Sequence, residues 1–167
     1  GGLKAIRRVR VGVTDMHFEP MVCDRATTPL EGKFCMGYCI AAALLDGDVT
    51  LATFTDAALA RINASGLPEK VTMELDDRVA GNSEFGAVVT IETGDGQTLE
   101  ELVPLAIGKP ERWFPKDRLA AKFHDCCGTA IDRGLADEIF TLAQSLDQAP
   151  SLRDLTNALG RVVAKRP

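Results

Sequence analysis

The only tyrosine of this chain, Tyr38, sits inside an apolar run, Phe34-Cys35-Met36-Gly37-Tyr38-Cys39-Ile40-Ala41-Ala42-Ala43-Leu44-Leu45. A phenol ionises near about pH 10 and is a good hydrogen-bond donor, so in a dry site it can steady developing negative charge. The plainer reading is a core tyrosine whose hydroxyl finds a backbone partner, and composition by itself favours that. Lys33 lies one turn before the run and could pair with a carboxylate, or simply be a solvated lysine at a helix start. Lys109 and Arg112 lie in a Pro-rich link, residues 108–115, and could form a basic rim over an acidic ligand or an ordinary surface loop. His17 falls in a loop and His124 on a helix flank, and neither has an acid or nucleophile beside it in sequence; both read as structural or exposed. The five cysteines include Cys35 and Cys39 at i, i+4 and the adjacent pair Cys126-Cys127 near His124. Adjacent helical side chains point about 100° apart, and zinc sites favour C-x-x-C turns, so no metal is expected. The cysteines read as small apolar core residues. An odd number without a C-x-x-C pair argues against a disulfide framework and for a reducing, cytoplasmic setting.

The elements that must hold these residues can be read from the apolar spacing. Ile6, Val9, Val11 and Val13 recur with near-alternation, which predicts a half-buried strand with an irregularity at Arg7-Arg8. Thr28-Pro29-Leu30-Glu31 is a helix start with a capping box, predicting a helix to about Asp46 that Gly47 stops. A shorter helix over 51–62 can be capped by Thr50 or Thr55. Strands are expected at 71–75, 87–93 and 98–107, with Asp95-Gly96 as the hairpin turn between the last two. Three helices follow, over about 116–127 and 132–146 and from Ser151, where Asp154 closes a capping box. A run of mostly antiparallel strands with segregated helices is α+β, most simply a two-layer sandwich with C-terminal helices. The boundary is placed between an α+β domain, 1–115, and a helical segment, 116–167.

Composition narrows the function classes. Hydrophobic residues make up 46%, enough for a core, and the net charge of −5 is unlike a nucleic-acid surface. The one basic stripe, Lys4, Arg7, Arg8 and Arg10, reads as the solvated side of the first strand. No apolar stretch is long enough to span a membrane, and no export signal is visible. The opening Gly1-Gly2 leads straight into a strand pattern, which predicts a piece of a larger protein. The run around Tyr38 carries no charge between Lys33 and Asp46. A helix apolar all round wants burial on both sides, and a two-layer sandwich covers only one. Cover is therefore expected from the terminal helices, another domain or a second subunit.

The segment Glu31 to Gly47 resembles the C-terminal domain of the MmgE/PrpD family, which shows K-F-S-x-x-Y-x-x-A-x-A-L-L-D-G there. Val49-Thr50-Leu51, Phe54-Thr55-Asp56, the hairpin Val88 to Gly96, the Gly-x-Pro-x-x-x-x-Pro link and Leu119-Ala120-Ala121-Lys122-Phe123 fit the same template. The chain departs from it at Cys35, where Ser is usual, and at Gly37, often Pro or a larger residue. The resemblance implies a helical N-terminal domain ahead of this one, with the last helices returning to pack on it. It also implies a homodimer, a small di- or tricarboxylate substrate and no cofactor. The reaction implied, as in 2-methylcitrate dehydratase, cis-aconitate decarboxylase and iminodisuccinate epimerase, begins with proton abstraction next to a carboxylate. The base would lie outside this chain. Tyr38 matches the family tyrosine that faces the substrate cleft and is the implied catalytic donor, with Lys33, Lys109 and Arg112 as substrate-binding candidates.

Two readings stand side by side, and a third, a thiol or metal sensor, stands behind them. In one, the chain is a share of a carboxylate lyase or isomerase. In the other, it is a non-catalytic α+β dimerisation or ligand-binding module, with the apolar helix covered within the chain and Tyr38 sealed from any cleft.

Overall fold

A computed structural model describes residues 2–79, 86–128 and 130–162. The chain divides into two units, Gly1–Trp113 and Phe114–Pro167.

The first unit is built on four strands: β1 (Ile6–Val13), β2 (Val71–Leu75), β3 (Ala87–Thr93) and β4 (Thr98–Val103). Their order across the sheet is β2-β1-β3-β4. The alternation of β1 sets which side is buried. Val9 lies between Val71 and Ile91, Val11 between Met73 and Val89, and Val13 between Leu75 and Ala87. Val9, Val11 and Val13 are almost wholly buried, and α2 (Met36–Asp46) and α3 (Asp56–Ala64) share their core, with the short helix α1 (Pro29–Gly32) ahead of them in the chain. Arg10, one residue out of phase, falls between Thr72 and Thr90 on the other side. The register shift expected at Arg7-Arg8 is present between Ile6 and Arg8.

The α+β class holds, and β1–β3 and β3–β4 are antiparallel. The β1–β2 pair is parallel, so the sheet is mixed. Parallel neighbours need a crossover connection, and α1 to α3 supply it. The hairpin turns at Asp95-Gly96, with Gly96 at φ +86, a left-handed value that glycine adopts without strain. β4 is shorter than expected and ends at Val103.

The helix expected from Thr28 to Asp46 is broken. The capping box forms, with Thr28 accepting from Glu31 N–H and the Glu31 carboxylate accepting from Thr28 N–H. Yet α1 ends at Gly32, and Cys35 is extended, φ −119 and ψ 106, as the N-cap of α2. Tertiary packing accounts for the break, because the Tyr38 ring folds back over Gly32. A Cβ built on Gly32 would lie 2.9 Å from Tyr38 Cε1. Gly47 ends α2 in the left-handed region, φ +78, as its sequence position predicts. Both expected caps downstream are used: Thr50 starts a short 3-10 turn, Leu51–Phe54, and Thr55 caps α3 by accepting from Ala58 N–H.

The second unit holds α4 (Lys116–Cys127), α5 (Arg133–Gln144) and α6 (Arg153–Gly160). Asp132 caps α5 through Leu135 N–H. Asp154 closes no capping box: the N-cap of α6 is Leu152, without a side-chain bond. Ser151 Oγ instead accepts weakly from Arg153 N–H at 3.4 Å. Ala136, Ile139 and Ala158 form the buried part of this unit, beside the Phe123–Phe140 ring pair, 5.1 Å between centroids.

Candidate functional site

Tyr38 is wholly buried, and its hydroxyl donates to the Thr53 carbonyl at 2.6 Å. The ring rests on Gly32 and lies 6.2 Å, centroid to centroid, from Phe54. Three pieces of sequence build this setting. The Cys35 cap starts α2 so that Tyr38 points inward, Gly32 leaves room for the ring, and the 3-10 turn presents the Thr53 carbonyl. Burial raises the phenol pKa above its ordinary value of 10.0. The expected opening onto a cleft is not seen among the described residues of this unit. The phenol is occupied as a buried donor, and the paired Asp46 and Arg61 act on it electrostatically. Arg61 grips Asp46 through two bonds, 2.9 and 2.7 Å, and this holds the Asp46 carboxyl below the usual range.

The other sequence candidates fall into two places. Lys33 is exposed and carries its ammonium 5.7 Å from the Phe54 ring centroid, a cation–π approach one ring away from Tyr38. Lys109 and Arg112 pair through a β-bridge in the link after β4. The Arg112 guanidinium folds back to donate to the Leu105 carbonyl at 2.6 Å, and Gly108 takes φ +101 to make the turn. The two histidines hold local roles: His17 Nδ1 lies 3.1 Å from Thr14 Oγ1, and His124 Nε2 lies 3.2 Å from the Asp137 carboxylate. Among the described residues, no group of three or more His, Cys, Asp or Glu could hold a metal, and no helix is long and apolar enough to cross a membrane.

α2 is covered more fully than an all-round apolar helix in a two-layer sandwich predicts. Tyr38, Ala41 and Ala42 are buried, and Met36, Ile40, Leu44 and Leu45 pack partly against the core. Pro68, just before β2, closes in on Gly37: a Cβ there would stand 2.8 Å from the Pro68 carbonyl oxygen. On α2, Ala43 and Asp46 stay exposed, and Phe34, ahead of the helix, is 43% exposed.

The most developed polar cluster lies on the opposite side of the sheet, and sequence reasoning missed it. Arg10 binds Glu74 at 2.8 Å and Thr90 at 3.2 Å, and Thr90 donates to Glu100 at 2.9 Å. Arg78 bridges Glu100 and Asp76, each at 2.7 Å. Asp76 is the least exposed of these carboxylates, and the Arg78 guanidinium beside it holds its carboxyl at about 2. Gly12 makes that approach possible, since a Cβ there would come within 2.6 Å of the Asp76 side chain. Of this cluster the sequence marks only Arg10, as facing solvent; its partners Glu74 and Thr90 lie 64 and 80 residues away, and no local motif joins them. Two guanidiniums face three carboxylates, and their ion pairs brace the strands.

Both departures from the family pattern have a local reason. Cys35 Sγ donates to the Asp24 carbonyl at 3.6 Å, the kind of bond a serine hydroxyl would also make. Gly37 has the Pro68 backbone against it. No curated protein matches the chain. The sequence profile of the MmgE/PrpD C-terminal domain matches residues 1–148, spanning the first unit and most of the second. The chain belongs to the MmgE/PrpD family, as its C-terminal domain.

Proposed function

We propose that this domain serves an enzyme acting on small di- or tricarboxylates, whose reaction opens with removal of a proton from the carbon next to a carboxylate. Dehydration, decarboxylation and epimerisation of such acids share a carbanion-like stage with negative charge spread onto the carboxylate. The observation that carries the reading is the family match over residues 1–148. In this reading the base comes from a helical N-terminal domain, and the protein works as a homodimer without a cofactor. Lys33, Lys109 and Arg112 supply cationic groups for the carboxylates, since charge-assisted bonds are the strong ones. Tyr38 is assigned a positioning role: with its hydroxyl held by Thr53, it fixes the α1–α2 junction that carries Lys33.

The test is hydrogen exchange in deuterated water with the full-length protein and a panel of citrate-like and succinate-like acids. Deuterium entering at the carbon next to a carboxylate, in at least one acid, is the expected result. No exchange and no turnover across the panel would remove the proposal.

The burial of Tyr38 favours the second reading, a non-catalytic module for dimerisation or ligand binding. The exposure of Ala43 runs against it, because that reading needs α2 covered within the chain. Saturable binding of the same acids without exchange would select the module.

A further inference from the structure

Cys23 and Cys35 are brought together by tertiary structure. Cys23 N–H donates to the Phe34 carbonyl at 3.1 Å, which sets residue 23 alongside the 34–35 peptide. Cys35 Sγ donates to the Asp24 carbonyl at 3.6 Å, so its sulfur lies against the residue that follows Cys23. Both side chains belong to the same apolar cluster. Cys35 is wholly buried and Cys23 half-buried, so one thiol of the pair is within reach of solvent. Cys39 Sγ donates to the Gly32 carbonyl at 3.3 Å.

We infer that Cys23 and Cys35 form an oxidisable dithiol, a modification site that reacts with low-molecular-weight disulfides and closes to an intramolecular bond. The exchange runs in two steps. The Cys23 thiolate attacks one sulfur of the small disulfide, forming a mixed disulfide and expelling one small thiolate. The Cys35 thiolate then attacks the Cys23 sulfur, forming the Cys23–Cys35 bond and expelling the second small thiolate. Two electrons pass from the protein to the small disulfide, and the two protons lost by the cysteines end on the two small thiols. The closed loop encloses α1 and its capping box and ties the N-cap of α2 to the segment after β1. Burial raises the Cys23 pKa, which keeps the thiolate scarce and the exchange slow. The inference is independent of the carboxylate chemistry proposed above.

The test is incubation of the native chain with glutathione disulfide, then alkylation and peptide mapping by mass spectrometry without reductant. Expected are one cross-linked pair containing Cys23 and Cys35, loss of two of the five alkylatable thiols, and their recovery with a reductant. The wild-type map needs no variant, and Cys126→Ser should leave the cross-link in place while Cys23→Ser abolishes it. A cross-link between Cys35 and Cys39, or mixed disulfides alone, would overturn the inference.

Discussion

Replacing Tyr38 with Phe removes one oxygen and leaves the ring on Gly32 and Phe54. That oxygen donates at 2.6 Å to a carbonyl of Thr53, itself almost wholly buried. Deleting one partner of a buried bond costs more than the net value of the bond, because the orphaned acceptor keeps its desolvation penalty. The expected loss is about 1–3 kcal/mol. Tyr38→Ala also leaves a cavity and should cost about 3–5 kcal/mol. In a domain of this size each kcal/mol lowers Tm by roughly 2–4 °C, so thermal or urea unfolding followed by circular dichroism resolves both variants. The same variants in the full-length protein separate the two roles of the phenol. A positioning tyrosine predicts that Tyr38→Phe loses stability and that its turnover falls little at temperatures where it stays folded. If Tyr38→Phe were as stable as wild type yet lost turnover by orders of magnitude, the hydroxyl would be meeting substrate rather than Thr53, and the reasoning from its burial would be wrong.

Other outcomes follow from the same packing. Gly37→Ala places a methyl 2.8 Å from a backbone oxygen that cannot swing away, and overpacking of this kind should cost about 1–3 kcal/mol in urea unfolding. Asp76 has a folded pKa of about 2 against an ordinary 3.8. A depressed carboxyl stabilises the fold above its unfolded pKa and loses that contribution as pH falls through the folded value. About 2 kcal/mol should therefore disappear between about pH 5 and about pH 2, and Asp76→Asn should flatten that part of the stability–pH curve.

Much of the first unit was legible in the sequence, and the reasons differ by element. Val9, Val11 and Val13 alternate, so β1 and its buried side were readable from period alone. Gly47 and Gly96 act through their own backbone and Thr55 through its side chain, and each did what its local chemistry required. The break between α1 and α2 was not readable, because it depends on Gly32 meeting the Tyr38 ring. An all-apolar stretch also has no polar side to show where its period restarts. The parallel β1–β2 pair depends on the course of three helices, which strand patterns do not encode. For the candidate site, the family motif located Tyr38 and Lys33, but the inward turn of the phenol depends on Thr53, fifteen residues on. The Arg10–Arg78 brace was invisible for the same reason: residues on four strands and a loop meet only after the sheet forms.

The most direct test compares turnover of a citrate-like or succinate-like acid by this chain alone and by the chain joined to the helical N-terminal domain proposed above. The account predicts no turnover from the chain alone and measurable turnover once the base-bearing domain is attached. Turnover by the isolated chain would contradict it.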